Sequence, residues 1–388
     1  MRINIGIDAS RNRSGGAITH IIGILENFDV SLLSEISEVH IWSYQSLLDQ
    51  IPNRIWLKKH SPRSLSGSVA EQLAWQRFEL AKEANRIGIN ILLNCDAGTV
   101  CRFQPSVTIS RDLLSYEKSE FDRYKFGLFK LRLIMLRYIQ NYSLRRSFGV
   151  IFLTDYARIK IEEYIGPIRE YAIIPHGVDP SFRISRVIKK RSSLNDGQPI
   201  RCVYVSNIGL YKHQSDVAYG IATLRDKGYN IHCDFIGNKA TTYYEDLQII
   251  LEERIKDSDQ FLHTVGPVEH KKLPEYLKDK DIFIFASGCE NMPNILIEGM
   301  CTGLPIACSN QGPMRSILKD GGVYFDPSNK NSIAACLEKI INDDELRNEI
   351  SRKSLMLSEE YSWQHCSFET FQYLCKVAAL GNSRAVER

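Results

Sequence analysis

The sequence lacks the features of a membrane-spanning or disulfide-stapled protein. No apolar run approaches the ~20 residues that a membrane-spanning helix needs, and no signal-like segment precedes the strand-like start MRINIGIDAS. The 10 cysteines are scattered, without a C-x-x-C pair or a repeated spacing. We therefore expect reduced, mostly buried thiols in a cytoplasmic protein, with neither a disulfide framework nor a zinc site.

Several motifs and an excess of charge are also missing. The formal net charge is only +3, so nucleic-acid binding is not indicated. The absence of G-x-G-x-x-G disfavours a dinucleotide-dependent oxidoreductase, and the absence of G-x-S-x-G disfavours a serine hydrolase. No His, Asp or Glu cluster has metal-ligand spacing, so we expect no metal cofactor. Asp279-Lys280-Asp281 spells D-x-D, but it lies at a predicted helix-to-strand junction and is interpreted as solvated surface.

What the sequence does contain is an alternation of short apolar runs with longer helical patterns, which is typical of parallel sheets covered on both faces. Asp179–Pro199 is rich in Ser, Lys, Arg, Asn and Gly and predicts an interdomain linker. In the first half the predicted strands are Ile3–Asp8, Val39–Trp42, Ile89–Asn94, Val107–Ser110, Val150–Thr154 and Tyr171–Ile174. The predicted helices there are Ala17–Phe28, Ser68–Arg86, Asp122–Ser147 and Asp155–Tyr164.

The alternation restarts after the linker. We therefore predict an α/β protein with two doubly wound, Rossmann-like domains, over 1–180 and 196–362, and an interdomain cleft. Ligands in such sheets bind outside the carboxyl ends of the strands. The predicted strands of the second half are Cys202–Ser206, Cys233–Gly237, Asp281–Ala286, Leu304–Ser309 and Val323–Phe325. Its predicted helices are Gln214–Lys227, Tyr243–Lys256, Ile295–Cys301, Ser332–Asn342, Asp344–Ser358 and Trp363–Ala379.

Residues 287–312, SGCENMPNILIEGMCTGLPIACSNQG, are the most informative stretch. Glu290 and Glu298 are separated by seven residues that include a turn-forming Asn-Met-Pro-Asn segment. The pattern predicts Glu298 in about the first turn of a helix and Glu290 in the preceding loop. A lone Glu at a helix start is more often a solvated residue that complements the helix dipole. Free N–H groups beside two carboxylates, however, suit a phosphate and several hydroxyls together, which indicates a sugar nucleotide.

The E-x7-E string followed by Gly303-Leu304-Pro305 resembles the donor-site signature of GT-B glycosyltransferases of family 4, and the resemblance extends over nearly the whole chain. It implies that Glu290 contacts the donor sugar's hydroxyls and that Glu298 contacts the ribose. It also implies a donor-binding C-terminal domain, an acceptor-facing N-terminal domain, and a final helix, 363–388, that packs back on the N-terminal domain. Sugar and diphosphate contacts are implied for the turn residues Asn291, Met292, Pro293, Asn294 and Ile295.

A second motif, VSNIGLYKH over 205–213, leaves a predicted strand and enters a helix. A Lys at a helix start suits a bound anion, although a solvent-exposed Lys explains it equally well. The family pattern is G-R-x-x-x-x-K-G, with Arg and Lys on the diphosphate. Lys212 fits this pattern, whereas Asn207 replaces the Arg and His213 replaces the Gly. Asn cannot neutralise charge, so either another cation does so or the site relies on Lys212 and helix dipoles.

Other site residues are expected in the N-terminal domain. Gly15 and Gly16 form a turn after the first strand, which the resemblance places at the diphosphate and acceptor, although a plain loop is the simpler explanation. Arg111 and Asp112 occupy the position of the family's His-Asp and are assigned to the acceptor side. Arg111 is always charged and cannot act as a base, but it could contact the acceptor or a phosphate left unpaired by Asn207. His176, in the I-P-x-G-V-D segment, is predicted to be structural.

Residues 124–146 hold six basic and no acidic residues, interleaved with apolar ones. Two interpretations remain about equally good: a core-packing helix with a solvated basic face, or a helix that lies on an anionic membrane surface. Membrane-facing acceptors in the resembled family favour the surface role slightly.

Together these features predict a retaining, metal-independent glycosyltransferase that moves a sugar from a nucleoside diphosphate sugar to a glycan acceptor. The acceptor is expected to be lipid-linked, in bacterial surface polysaccharide synthesis, with the enzyme in the cytoplasm or peripheral on the inner face of the plasma membrane. The alternatives are a low-activity sugar-nucleotide-binding subunit, because of Asn207, and an epimerase of the same fold. The sugar, the base, the linkage and the oligomeric state are not predicted.

Overall fold

The computed structural model of the chain describes residues 2–13, 15–184, 197–239 and 242–386. The chain forms two compact units. Unit 1 comprises Met1–Gly177 together with Tyr361–Arg388, and unit 2 comprises Val178–Glu360. Among the described residues, no helix combines the length and the apolarity needed to cross a lipid bilayer.

Unit 1 is built around a seven-stranded parallel sheet in the order β3-β2-β1-β4-β5-β6-β7. Its inner strands are almost wholly buried because helices cover both faces. The strands are β1 Ile3–Asp8, β2 Ile36–Trp42, β3 Leu57–His60, β4 Ile91–Asn94, β5 Ser106–Ser110, β6 Gly149–Phe152 and β7 Tyr171–Ile173. The helices are α1 Gly16–Glu26, α2 Gln45–Leu48, α3 Val69–Phe78, α4 Leu80–Ile87, α5 Lys118–Phe121, α6 Leu128–Arg146 and α7 Asp155–Ile165, with 3₁₀ turns at Val30–Leu32 and Arg63–Ser66.

Unit 2 holds a six-stranded parallel sheet in the order β10-β9-β8-β11-β12-β13. Its strands are β8 Ile200–Val205, β9 Ile231–Ile236, β10 Leu262–Gly266, β11 Ile282–Phe285, β12 Ile306–Ser309 and β13 Val323–Phe325. The helices are α8 Gln214–Asp226, α9 Thr242–Ile249, α10 Leu273–Leu277, α11 Asn294–Cys301, α12 Met314–Leu318, α13 Lys330–Asn342 and α14 Asp344–Ser358. The described residues of the unit also form 3₁₀ turns at Pro180–Phe182, Leu210–Lys212, Ser258–Gln260 and His270–Lys272, and a π-helical turn at Ile250–Arg254.

The last helix, α15 Trp363–Val386, belongs to unit 1. The hydroxyl of Ser367 donates to the carbonyl of Ile24 at 2.6 Å, and the rings of Phe371 and Phe28 stack with their centroids 3.8 Å apart. A Cβ on Gly23 would meet the ring of Trp363 at 2.4 Å, so only glycine allows this close approach to α1.

The predicted α/β class with doubly wound parallel sheets is confirmed, but several predicted elements were wrong in detail. The predicted helix Ser68–Arg86 is two helices, α3 and α4, and Ser68 and Glu71 cap the first with a reciprocal capping box. The predicted helix Asp122–Ser147 begins only at Leu128, after Gly127. Tyr243–Lys256 is α9 followed by the π-helical turn.

The predicted linker Asp179–Pro199 is only partly described, because 185–196 lie outside the described residues. Its first part is ordered within unit 2. Asp179 caps the turn Pro180–Phe182 by accepting from the N–H of Ser181 at 2.8 Å, and Phe182 is fully buried. This part of the segment therefore contributes to the core of unit 2.

Candidate functional site

The loop after β8 is held in one conformation by tight backbone packing. A Cβ on Gly237, at the end of β9, would lie 1.9 Å from the carbonyl oxygen of Ser206, so glycine is required there. The chain then turns through Leu210–Lys212 to His213, which takes a left-handed conformation with φ of 55° before α8 begins. The phenol of Tyr204 donates to the carbonyl of Lys212 at 2.6 Å. These contacts fix the backbone from which the Lys212 side chain extends.

Lys212 and Glu290 form a hydrogen-bonded ion pair between the two sequence motifs. Their side chains are only 13% and 16% exposed, so water screens the pair weakly. Burial alone would lower the pKa of Lys212, but Glu290, Tyr211 and Tyr204 raise that pKa above its usual value. Lys212 is therefore a cation, and it has further N–H donors for an anionic ligand.

The predicted turn before α11 is mostly buried. The N–H of Gly288 donates to the carbonyl of Tyr211 at 2.7 Å, which joins this turn to the Lys212 loop. Asn291, Met292 and Pro293 are buried, whereas Asn294 and Ile295 are half-buried at the start of α11.

The start of α11 resembles an anion site. Pro293 occupies its N-cap position and no described side chain caps the helix, so free N–H groups remain at its start. The side-chain oxygen of Asn294 is buried and has no hydrogen-bond partner among the described residues.

Glu298 is the fifth residue of α11, at the start of its second turn, one residue further into the helix than in the predicted helix Ile295–Cys301. Its side chain is 8% exposed, and Oε1 pairs with Nε2 of His270 at 2.8 Å. Oε2 is buried without a hydrogen-bond partner among the described residues. A buried carboxylate oxygen normally has a donor, so this oxygen can accept a hydroxyl from a ligand. The pKa of His270 is raised, chiefly by its hydrogen bond to Glu298.

The side chain of Asn207 binds a backbone N–H group in this structure. Its side-chain oxygen accepts from the N–H of Asn238 at 3.2 Å, and its carbonyl accepts from Gln214 at 3.1 Å. The residue thus ties the loop after β8 to the loop after β9. It supplies no positive charge to the neighbourhood of Lys212.

The predicted N-terminal site residues lie in unit 1. Gly15 has φ of 63° and precedes α1, while Gly16 is the first residue of that helix. Ser14, next to them, lies outside the described residues. The positive φ favours glycine at position 15, and Gly15 precedes the helix without a capping side chain.

Arg111 is a half-buried cation of unit 1 that is bonded within the unit. Its Nε donates to the carbonyl of Cys95 at 2.6 Å, and Nη2 lies 2.7 Å from Nδ1 of His20. The ring of His176 is 4.3 Å from that of His20, and burial followed by the charge of Arg111 holds the pKa of both histidines well below the usual value. The neutral ring of His20 accepts from the guanidinium, and the ring of His176 packs against that of His20.

Asp112 follows Arg111 in the chain and is exposed. Gln140 donates to its Oδ2 at 3.3 Å, and desolvation by the neighbouring chain raises the pKa of Asp112 to about 6. This pKa lies above the value of about 3.9 for an ordinary Asp.

The structure thus brings Lys212 to Glu290 and the turn before α11 to the Lys212 loop, while Arg111 and Asp112 lie in unit 1. Sequence analysis missed Tyr204, Tyr211 and His270. Lone aromatic and histidine residues carry no motif, so only their neighbours in the fold identify them.

No group of three His, Cys, Asp or Glu residues with metal-site geometry occurs among the described residues. In the D-x-D segment, Asp281 accepts from the N–H of Arg201 at 2.9 Å, and Asp279 pairs with the Arg201 side chain at 3.1 Å. The expectation of a solvated segment was wrong for Lys280, which is 6% exposed and bonded to Asp234 at 3.0 Å.

Comparison with known proteins places this geometry in context. Residues 185–355 match the family model described as "Glycosyl transferases group 1". The O-antigen chain mannosyltransferase B of Escherichia coli is 26% identical over 110 residues, which are 28% of this chain and 29% of that protein. The matched stretches span 29%, 60% and 14% of the lengths of three curated relatives.

Two solved structures share the fold over nearly the whole chain. The sucrose-phosphate synthase of Thermosynechococcus elongatus superposes with a TM-score of 0.76 at 13% identity, covering 98% of this chain and 100% of that one. The Anabaena HepE protein in complex with UDP and glucose gives a TM-score of 0.70 at 15% identity, covering 96% and 100%.

The two parallel sheets with their helices define the GT-B glycosyltransferase fold. Residues 185–355, which carry Lys212, Glu290 and Glu298, match the model of the glycosyl transferases group 1 family. The predicted fold is confirmed, and this match agrees with the family that the resemblance predicted.

Proposed function

We propose that this chain is a retaining glycosyltransferase that moves a sugar from a nucleoside diphosphate sugar to a glycan acceptor. The observation that carries the proposal is the weakly screened Lys212–Glu290 pair, which stands beside the uncapped start of α11. A single ion pair with spare donors and acceptors can hold a diphosphate through Lys212 and sugar hydroxyls through Glu290 at once.

In the proposed reaction, the bond between the anomeric carbon and the diphosphate oxygen breaks, and a bond from that carbon to the acceptor oxygen forms on the same face. The acceptor's proton passes to the departing diphosphate oxygen, so no protein base is needed. Lys212 and the N–H groups of Asn294 and Ile295 stabilise the negative charge that develops on the diphosphate. No metal is assigned a role.

Glu298 is proposed to bind the ribose. Its buried Oε2 has an acceptor position available, and His270 holds the carboxylate through Oε1. The turn residues Asn291, Met292 and Pro293 then line the sugar and diphosphate. Gly15, Gly16 and Asp112 keep their assignment to the diphosphate and acceptor side.

The family pattern has an Arg at the position of Asn207 in this chain. Arg111 is not suited to replace the charge of that Arg. Its guanidinium is half-buried and already bonded to Cys95 and His20. Breaking those bonds would leave buried polar groups unsatisfied, which costs about 1–3 kcal/mol for each group. We therefore assign the diphosphate charge to Lys212 and α11 alone.

Asn207 also supports a second candidate, a sugar-nucleotide-binding subunit with little activity. With one cation fewer at the diphosphate, the donor could bind without being activated. An epimerase of the same fold is a third candidate, which would convert the donor without any acceptor.

Several observations favour a lipid-linked acceptor in bacterial surface polysaccharide synthesis. One relative is named an O-antigen chain mannosyltransferase. In α6, five apolar or aromatic residues recur every three or four positions and are 53–88% exposed: Leu128, Leu131, Met135, Tyr138 and Tyr142. Basic residues accompany this exposed strip, so α6 suits the anionic inner face of a plasma membrane.

The donor assignment is tested by thermal-shift measurements with UDP, GDP and ADP, followed by turnover assays with the sugar nucleotide of the base that binds. A ligand of the folded state must raise the melting temperature. Transfer by the wild type, lost in Glu290→Gln, supports the proposal. Tight binding without transfer favours the binding subunit, and donor conversion without acceptor favours the epimerase. No stabilisation by any nucleotide contradicts all three.

Membrane contact is tested by flotation with vesicles of phosphatidylglycerol or of phosphatidylcholine. We expect retention on the anionic vesicles only, and much weaker retention for the double variant Leu128→Ser/Leu131→Ser. Ile55, which is 95% exposed elsewhere in unit 1, provides the matched control Ile55→Ser. Equal retention of both variants would contradict a role for α6.

A further inference from the structure

A cavity of about 570 Å³ lies in unit 1 among α3, the chain that follows β4, and α6. Its volume is in the range of small-molecule binding sites. The apolar part of the cavity wall includes Leu73, Phe78 and Ile139. The aromatic rings of Tyr138 and Tyr142 also line the cavity. A site of this kind suits a ligand with a large hydrocarbon part.

Three arginines, Arg77, Arg102 and Arg146, also line the cavity, and its described lining includes no carboxylate. Nη1 of Arg146 donates to the phenol of Tyr142 at 2.8 Å. This hydrogen bond, together with the charges of all three arginines, lowers the pKa of Tyr142. The charges of the three arginines therefore all act on the Tyr142 hydroxyl. Guanidinium groups match the oxygens of a phosphate in geometry and in charge.

The cavity continues the exposed apolar strip of α6. Leu128, Leu131 and Met135 carry the strip along the helix, and Tyr138 and Tyr142 belong to both the strip and the cavity wall. One amphiphile can thus contact apolar surface and the arginines together. A free phosphate would leave the apolar wall unused, and a neutral lipid would leave three cations without a partner.

We propose that this cavity binds a lipid phosphate, that is, a phosphate ester with a long hydrocarbon chain. The phosphate lies at Arg77, Arg102 and Arg146, and the chain lies against Leu73, Phe78, Ile139 and the two tyrosines. The proposal goes beyond sugar transfer and uses no residue of unit 2. A lipid-linked acceptor is one ligand of this chemical class.

Calorimetric titration of the full chain with hexyl, octyl and decyl phosphate below their micelle concentrations tests the chemistry. We expect one site, with affinity rising roughly three- to fourfold per added methylene. Inorganic phosphate should bind at least tenfold more weakly than decyl phosphate. Equal affinity for inorganic phosphate would identify a free-phosphate site and overturn the lipid assignment, as would no binding of decyl phosphate.

Two matched pairs of variants locate the site. Ala74 is exposed on α3 and lines the cavity, whereas Ala70 is exposed one turn earlier and does not. Ala74→Trp should weaken decyl phosphate binding at least tenfold, and Ala70→Trp should not. Arg102→Gln should weaken it about tenfold, the usual scale for a charged hydrogen bond, while Arg86→Gln, outside the cavity, should not.

Melting temperatures confirm that each variant folds. Wild-type affinity in Ala74→Trp would show that the ligand binds elsewhere and would overturn the proposal. Because these titrations contain no sugar nucleotide, their failure leaves the proposed glycosyl transfer standing, and a failure to bind any nucleotide leaves this cavity's assignment standing.

Discussion

The ammonium group of Lys212 donates a hydrogen bond to Oε1 of Glu290, and this pair joins two motifs that are 78 residues apart in sequence. The backbone contact from Gly288 to Tyr211, at 2.7 Å, links the same two loops. The side-chain pair and the backbone contact therefore hold Lys212, the proposed phosphate-binding residue, in a fixed position relative to Glu290, the proposed sugar-binding residue. Such preorganisation removes the cost of assembling charges during the reaction.

A double-mutant cycle measures the coupling within this pair. Lys212→Met or Glu290→Gln alone should lower the free energy of unfolding by roughly 1–3 kcal/mol, because each leaves a mostly buried charge without its partner. The double variant should lose at least about 1 kcal/mol less than the sum of the singles. Urea unfolding of the four proteins measures this; additive losses would show that the pair contributes no coupling.

The two residues should differ in their kinetic effects. Glu290→Ala should abolish transfer while weakening nucleotide affinity much less, because Glu290 is assigned to the sugar. Lys212→Ala should lower turnover by on the order of 100-fold, the usual scale for a key electrostatic group. Steady-state rates and calorimetric nucleotide affinities separate the two effects. Lys227→Ala, at an exposed ion pair of unit 2, is the control. Unchanged turnover in Glu290→Ala would refute its assignment.

The sequence predicts those parts of the site whose residues lie close together along the chain. Glu290, the turn after it and Glu298 lie within nine residues of one another, so a short motif shows them together. His270 reaches Glu298 from the turn His270–Lys272, and His20 reaches Arg111 across 91 residues. No local pattern encodes such partners. The contacts of Arg111 likewise depend on α1 and the chain after β4, which the residues around it in sequence do not show.

The fold was predictable where strands are apolar on both faces, and less so at the sheet edges. The two strands that sequence analysis missed, β3 and β10, are both edge strands of their sheets. Their sequences, LKKH and LHTVG, mix polar and apolar residues, since an edge strand has a side open to solvent. A buried central strand such as β11, IFIF, has no such ambiguity.

His270 should make stability depend on pH. Its pKa in the folded protein is raised by Glu298 above the unfolded value of about 6.5. Its contribution is therefore fully present below about pH 6.5 and is lost as the pH rises through the folded pKa. Urea unfolding at about pH 6 and about pH 8.5 should show this loss in the wild type and a smaller one in His270→Gln. His365→Gln, on α15, should behave as the wild type; an unchanged slope in His270→Gln would contradict the assignment.

Removing divalent metal should leave transfer largely intact. We assign the diphosphate charge to Lys212 and the start of α11, which need no added ion. The test compares initial rates of enzyme dialysed against EDTA, with and without restored Mg²⁺. A metal that carried the leaving-group charge would make its removal cost on the order of 100-fold. A loss of that size, restored by Mg²⁺, would contradict this part of the mechanism.

Asp112→Asn should stabilise the protein, and increasingly so as the pH rises. Desolvation by the neighbouring chain raises the pKa of Asp112 to about 6 in the folded state, above the unfolded value of about 3.9. Stability from the protonated carboxyl is thus present below about pH 4 and is lost as the pH rises through about 6. The amide cannot ionise, so its advantage should grow between about pH 4 and about pH 7, by an amount that solvent screening at the exposed Asp112 keeps small. Urea unfolding across this range measures the difference, with Asp122→Asn, at a 58% exposed side chain, as the control. A constant or falling difference would mean that Asp112 is ionised in the folded protein throughout, held by the nearby charge of Arg111.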